Sequence, residues 1–455
     1  MLTTQWAAHT FSLINEKGKG MLWKLTKDNE LSLEWNWLQS VAIFMVISNV
    51  FMPFAMVLLA VLVLFRHGWH AIATPINRAY FWLSLWMIFT TVIAFNPATA
   101  AGGLANFLPY FLLAAITSFI IRTPAQFTHF LWLLVFSSML VSGFGILQAI
   151  LDRPDWFFPK VIFDSYKIPM GFSADRRIQS FFGHFNETAA YLLMILPIAF
   201  HFALGQVKSI TKSQRAIAVV ALALGTAVLI LTGSRNAWGL AIIGMIALAL
   251  YYRQWKFVLG LGIFLSIIAW GIFGQKLGLG GEFVRALLPE GFVNRLSSAI
   301  DPKLGDYAST ADRLNAWQFA GALIAKHPIQ GWGLRNFPLV AKAMNFDLRG
   351  LPHEHNLFLA IAVGSGIPAL LGFIGIISWT IWLSLKSAIA KNTEGMMFVA
   401  VVGAILFLLS GWLDLVLYEP RLSMLLWFLL GGMYGLASYR PHQSDQTDEI
   451  NAKAT

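Results

Sequence analysis

Apolar runs of membrane-spanning length recur along most of the chain, and they decide the fold class before any motif is considered. A helix needs about 20 predominantly apolar residues to cross the hydrocarbon core. By that measure about twelve helices are expected, over 35–51, 53–66, 78–96, 104–121, 127–150, 188–205, 216–232, 236–252, 257–274, 356–385, 396–413 and 421–438. In lipid each backbone polar group must be satisfied inside its own segment, so runs of this kind fold as helices. The expected fold class is an all-α polytopic membrane protein. The first two runs are short and meet at Met52-Pro53, which predicts a hairpin that spans only partly.

Composition points the same way. With 57% hydrophobic and 12% charged residues, 18 Trp and 37 Phe, the chain holds more apolar length than a soluble core could bury. A formal net charge of +10 would direct a soluble domain toward nucleic acid. Here the basic residues sit on short loops, where they set topology, and no nucleic-acid partner is expected. The absence of cysteine removes disulfides, thiolate metal ligands and thiol nucleophiles.

The loops alternate in charge. One set carries Arg66 and Arg78, then Arg122, then Lys208, Lys212 and Arg215, then Arg253 and Lys256, then Lys386 and Lys391, then Arg440. The positive-inside rule makes that set cytoplasmic, with both termini. The outer set holds the uncharged turn NPATAAGG, the segment 152–187, the tight turn GSRN, the segment 275–355 and the turn ending YEPR. The expected organisation is a cytoplasmic segment 1–34, nine helices over 35–274 with the external loop 152–187, an external domain 275–355, three helices over 356–438 and a cytoplasmic tail 439–455. The first segment lacks the apolar core and small-residue cleavage site of a signal peptide. Its Trp and Leu content suits a stretch along the inner membrane surface, and a disordered tail is the alternative.

Within the external domain, STADRLNAWQFAGALIAKHP reads as a helix with Ser309 as N-cap, Asp312 at N3 and Pro328 beyond its end, which puts Arg313 and Trp317 on one face. Upstream, Phe283, Val284, Leu287 and Leu288 form an apolar side suited to the outer leaflet. The loop GWGLRNFP follows.

Four features far apart in sequence converge on the outer face: Arg177 with Asn186, Arg235, Arg313, and His355 with Asn356. Arg235 sits in LTGSRNAWG, a turn that keeps its guanidinium near the membrane plane, where arginine forms paired, charge-assisted bonds to phosphate oxygens. A snorkelling anchor is the competing reading. For Arg313 it is a surface pair with Asp312 or a neighbour, and for Arg177 a pair among Asp175 and Arg176. His355, at the mouth of an apolar helix, is a candidate general base for a hydroxyl; the alternative is an interfacial histidine satisfied by water. His353 is the weaker candidate, and His201 reads as packed near the cytoplasmic end of its helix. No closely spaced outer carboxylate pair suits a divalent cation, so no metal is expected and arginines would carry the phosphate charge. Asp414 and Glu419 read as partners of Arg421 or other basic groups.

The motifs TGSRNAWG (Thr232 to Gly239), the Arg-x-x-x-Trp helix followed by KHPIQGWGLRNF (Lys326 to Phe337), and HNLFLAIAVGSG (His355 to Gly366) resemble the bacterial O-antigen ligase and polymerase superfamily of membrane glycosyltransferases. The likeness is strongest over residues 177–425. The chain departs from the family pattern at Ala369, where a glycine is usual, and in GHFN (Gly183 to Asn186), where the family has Gly-Asn-Pro-Asn. The stretch LDLVLYEPRLSMLLWFLLGG is also similar to a cyanobacterial branch of the superfamily described as bicarbonate transporters, which makes transport of bicarbonate or a lipid-linked species the alternative function.

The resemblance implies a GT-C-like helical fold in the bacterial inner membrane, its site facing the periplasm. It implies transfer of a glycan from an undecaprenyl-diphosphate carrier to a hydroxyl on a glycan or lipid acceptor, without cofactor or metal. His355 would be the base. Arg235 and Arg313 would hold the diphosphate with Arg177 as a third donor, and Asn186, Trp317 and Asn356 would support them.

Overall fold

The computed structural model describes residues 31–47, 51–151, 177–205, 207, 209–274, 277–288, 292–293, 296, 306–391, 393 and 395–439. The expected inner-surface segment before residue 31, most of the loop 152–187 and the tail beyond 439 lie outside the described residues. The regular secondary structure among the described residues is helical, with no strand.

In chain order the helices are α1 (Ser32–Phe44), α2 (Phe51–His67), α3 (Pro75–Val92), α4 (Pro97–Leu104), α5 (Leu108–Ile120), α6 (Pro124–Leu151), α7 (Phe185–Leu204), α8 (Lys212–Leu231), α9 (Arg235–Tyr251), α10 (Trp255–Phe273), α11 (Glu282–Leu287), α12 (Asp306–Lys326), α13 (Phe337–Ala343), α14 (Leu357–Lys391), α15 (Met396–Ser410) and α16 (Pro420–Ser438). Each expected apolar run falls on a helix. Eight helical stretches are long and apolar enough to cross a membrane, and α9 and α15 are shorter apolar helices. The protein is thus a multi-pass, all-α membrane protein. α1 and α2 pack against each other as a hairpin, closed by Glu34 Oε1, which accepts from Arg66 at 2.7 Å and lies 3.1 Å from His67 Nε2. The partial span expected of it is not borne out for Phe54–Ile72, which is long and apolar enough to cross.

Three sequence-based expectations change. The turn NPATAAGG is helical: Asn96 caps α4 by accepting from the Thr99 amide at 3.0 Å, and Pro97 starts the helix, the position where its missing N–H costs nothing. α12 begins at Asp306, so Ser309 lies inside it and is not its N-cap. The run 356–385 is not one continuous helix. α14 is broken at Gly366, whose φ of 81° and ψ of 170° are non-helical. The chain from α12 docks into this break: the amides of Trp332 and Gly333 donate to the carbonyls of Val363 and Gly364 at 2.7 and 2.8 Å, and the Ile367 amide donates to Pro328 at 2.8 Å. The carbonyls and amide freed by the break are therefore satisfied from outside the helix, as a buried interruption requires.

α16 is the most enclosed of the membrane-length helices. Its Gly431 and Gly435 lie against the backbone carbonyls of Ala114 and Ser118, leaving no room for a Cβ and letting α5 and α16 approach closely. Trp427 on α16 meets Phe111 at 4.9 Å and Tyr80 at 5.7 Å, edge to face. In hydrocarbon this close packing, more than water exclusion, holds helices together. α10 lies at the periphery with little buried, and Val284 of α11 packs over Gly271 near its end. Phe283 and Leu287 of α11 remain exposed, matching two of the four positions expected on its apolar side.

Outside the main core, Ala316, Phe319, Ala320 and Leu323 of α12 pack with Phe337, Val340 and Ala341 of α13 and with Val363 of α14. That seam fixes the rotation of α12, and with it where Arg313 and Trp317 point.

Candidate functional site

A cavity of about 480 Å³ opens where the starts of α7 and α9 meet α12 and the loops before α14 and after α15. Of the residues singled out from sequence, Arg177, Asn186, Arg235, Arg313, Trp317 and His355 all line it. Asn356 does not. Its Oδ1 accepts from the amides of Phe358 and Leu359 at 2.9 and 3.0 Å, so it caps α14 and fixes the residue before it.

That residue, His355, has a φ of 48°, a left-handed conformation that is costly for a side chain of this size and that persists only where its surroundings impose it. The surroundings are explicit. The His355 amide donates to His353 Nδ1 at 3.1 Å, the Trp317 indole donates to the Glu354 carbonyl at 2.9 Å, and Asn356 begins the helix. On the imidazole, Nδ1 lies 3.6 Å from Asp414 Oδ1, an ion-pair approach just beyond hydrogen-bond length, while Nε2 has no protein partner. Asp414 Oδ1 also accepts from the Leu415 amide at 2.9 Å, and Oδ2 accepts from Asn186 Nδ2 at 2.9 Å. Burial works against the Asp414 anion, but the interactions with His355 and Asn186 outweigh it and hold this carboxyl below the usual carboxylate range.

The arginines differ in how they are held. Arg177 donates from Nε to the Thr232 carbonyl at 2.9 Å and from Nη2 to Gly233 at 3.4 Å, with its guanidinium carbon 3.0 Å from the Phe185 ring centroid. It braces the turn that carries Arg235. Arg235 begins α9, whose N-cap Ser234 makes no side-chain cap bond. The first turn of α9 at Asn236 and Ala237 therefore reaches the cavity wall without a capping side chain, at the helix end that favours anions. Arg313 is half-buried and has no ion-pair or hydrogen-bond partner among the described residues. The pair weighed for it from sequence is not formed, because Asp312 bonds to Arg349 at 3.2 Å.

Among the cavity residues not singled out from sequence are His184 and Ser234. His184 is the N-cap of α7, its Nδ1 accepting from the Asn186 amide at 3.2 Å while Glu187 reaches back to the His184 amide at 3.0 Å; burial lowers its pKa and favours the neutral ring. The signal for His184 was the capping spacing His-x-x-Glu ahead of an apolar run. Asp414 was read as a partner of a basic group, which it is, although the group is His355; Glu419 takes Arg421 at 2.5 Å. His201 is packed as expected, fully buried and stacked on Tyr252.

His353, His355 and Asp414 bring one potential metal-ligand atom each within 4.8 Å of one another, a donor set the sequence did not reveal. Their commitments argue against a centre. His353 Nδ1 already accepts the His355 amide, both Asp414 oxygens hold protein donors, and Arg177, Arg235 and Arg313 line the same cavity, where they oppose a cation and favour an anion. The arrangement offers an anion pocket ringed by guanidinium groups and a helix N-terminus, beside an imidazole with one nitrogen facing a carboxylate and the other buried without a hydrogen-bond partner among the described residues.

No curated protein matches the chain. A sequence model described as O-antigen ligase matches residues 219–374. This span contains Arg235, Arg313 and His355, whereas Arg177, Asn186 and Asp414 come to the cavity from outside it. The chain thus carries an O-antigen ligase domain over residues 219–374 of a multi-pass membrane protein.

Proposed function

We propose that the protein transfers a glycan from undecaprenyl diphosphate to an acceptor hydroxyl at the periplasmic face of the bacterial inner membrane, as an O-antigen ligase or polymerase. One observation carries the reading: His355, with Asp414 behind it, shares a single cavity with Arg235 and Arg313, and His355, Arg235 and Arg313 lie inside the matched span 219–374.

In this scheme the acceptor oxygen attacks the anomeric carbon as His355 Nε2 takes its proton. The bond from that carbon to the diphosphate oxygen breaks, and its electron pair leaves with the diphosphate. Asp414 stabilises the imidazolium that forms. Arg235 and Arg313, with the first turn of α9, meet the charge that grows on the leaving oxygens, an interaction worth most in the transition state. Arg177 holds the turn in place and adds positive field. Guanidinium groups do here the work that a divalent ion does in other diphosphate sites, so the step needs no metal. The carrier's polyprenyl chain stays in the bilayer, against the apolar helices below the cavity.

The test is transfer by the purified chain in detergent from an undecaprenyl-diphosphate oligosaccharide, with chelator present. Lipopolysaccharide core and a second donor molecule are each offered as acceptor. Product with the native protein and none with His355→Ala supports the reading. No product with either acceptor from folded native protein overturns it, and bicarbonate uptake into vesicles is then the assay for the transport alternative.

A further inference from the structure

A serine at a helix N-cap ordinarily gives its hydroxyl to the first-turn amides. Ser234 does not. Its Oγ donates to Asn186 Oδ1 at 2.9 Å, and Asn186 Nδ2 donates to Asp414 Oδ2 at 2.9 Å. The direction of this chain is fixed by chemistry. An ionised carboxylate only accepts, so the amide nitrogen faces Asp414 and the amide oxygen is left for the one donor of Ser234. Asp414 then meets His355 through its other oxygen. Ser234 is 6% exposed, so water does not readily replace its partner.

We infer that Ser234, Asn186 and Asp414 form a positioning relay that ties the turn carrying Arg235 to His355, so that the diphosphate ligands and the base are set as one unit. The inference rests on the proposed roles of Arg235 and His355. The relay joins three separate segments: the turn between α8 and α9, the first turn of α7, and the loop after α15. Each contributes one side chain to the chain of hydrogen bonds that ends on the carboxylate facing His355. Without the hydroxyl, the Asn186 oxygen loses its donor and the amide is free to turn. Asp414 Oδ2 then loses Asn186, its one side-chain donor among the described residues, and the carboxylate keeps the Leu415 amide and the approach of His355, both on Oδ1. The effect falls on the alignment of His355 and hence on turnover, while the arginines that bind the donor stay in place.

The experiment is steady-state transfer by the full chain in detergent, with the same donor and the acceptor the native protein uses. The variants are Ser234→Ala, Ser234→Thr, Asp414→Asn and the Ser234→Ala/Asp414→Asn pair, with thermal midpoints recorded for each. Loss of one buried hydrogen bond predicts that Ser234→Ala lowers kcat about 3- to 10-fold with donor KM changed less than about 2-fold. Ser234→Thr, which keeps the hydroxyl, restores most of kcat. In the Asp414→Asn background the alanine adds less than about 2-fold, because its effect passes through Asp414. A purely structural role for Ser234 would lower the thermal midpoint and leave kcat per folded molecule unchanged, or would add in full to Asp414→Asn; either result overturns the relay. Native kcat in Ser234→Ala while His355→Ala is inactive overturns the relay and leaves the glycosyl-transfer reading standing. No transfer by the native chain overturns both.

Discussion

Asp414 and His355 face each other across 3.6 Å, carboxylate Oδ1 to imidazole Nδ1, and the carboxylate is pinned from its other side by Asn186 at 2.9 Å. A carboxylate in this position selects the tautomer with hydrogen on Nδ1, which leaves the Nε2 lone pair for the acceptor hydroxyl, and it stabilises the imidazolium after proton transfer. Asp414→Asn keeps the shape but offers an N–H where an acceptor is needed. The expected outcome is a fall in kcat of about 10²-fold with donor KM little changed, measured by transfer at saturating acceptor. An unchanged kcat would refute the pairing as functional.

Arg313 reaches the cavity without a protein partner among the described residues, since Asp312 is engaged by Arg349. An arginine kept half-buried and unneutralised is available for an anion. Arg313→Ala should weaken binding of undecaprenyl diphosphate about 10- to 100-fold, the worth of one charge-assisted contact. Arg313→Lys should recover only part of this, because an ammonium lacks the planar fork. Titration of the purified protein with undecaprenyl diphosphate checks both, and equal affinity for native and Ala forms would remove Arg313 from the donor site.

Much of this arrangement was legible in sequence, and the parts that were not share a cause. Arg235, Arg313 and His355 stood out because charged or titratable groups beside apolar helices are expensive, and all three line one cavity. Arg177 was weighed as a diphosphate ligand, yet two of its donors go to the carbonyls of Thr232 and Gly233; a local turn contact of that kind leaves no trace in residue spacing. The partner of His355 was hidden because Asp414 lies one helix hairpin downstream and is brought to it by packing of α14 against α15, where the Leu357 amide donates to the Gly411 carbonyl at 2.7 Å. Helices were found from their apolar length, but that length says nothing of where an interrupted helix breaks. Gly366 stands at the end of the HNLFLAIAVGSG motif, but nothing in that spacing shows that the helix breaks there and that the chain at Pro328 to Gly333 fills the gap.

The break at Gly366 predicts a sharp contrast between two glycines of α14. A Cβ at Gly366 would run into the Ile329 carbonyl, and its φ of 81° disfavours any other residue. At Gly375 a Cβ meets nothing within 4 Å. Gly366→Ala should cost about 2–4 kcal/mol through strain and lost docking of the loop, while Gly375→Ala should be neutral or slightly stabilising, since alanine is the better helix former. Thermal unfolding in detergent distinguishes them. Equal midpoints would mean that the loop does not sit in the break as described.

Glu354 gives a pH signature that belongs to the loop carrying His355. Its side chain is buried, and desolvation raises its carboxyl from 4.5 to about 7. The folded protein therefore binds this proton more tightly than the unfolded chain does. Stability from this group is fully present below about pH 4.5 and is lost as pH rises to about 7, where the folded form ionises as well. Glu354→Gln removes the titration. The difference in stability between the Gln variant and the native protein should thus be constant at low pH and then move in favour of the variant between about pH 4.5 and 7, by up to about 3 kcal/mol. Unfolding midpoints of both proteins, measured at half-unit steps from about pH 4 to 8, read this directly. Parallel curves across the range would show that the Glu354 carboxyl meets water in the folded protein, and the tight seating of the 353–356 loop against Trp317 would have to be redrawn.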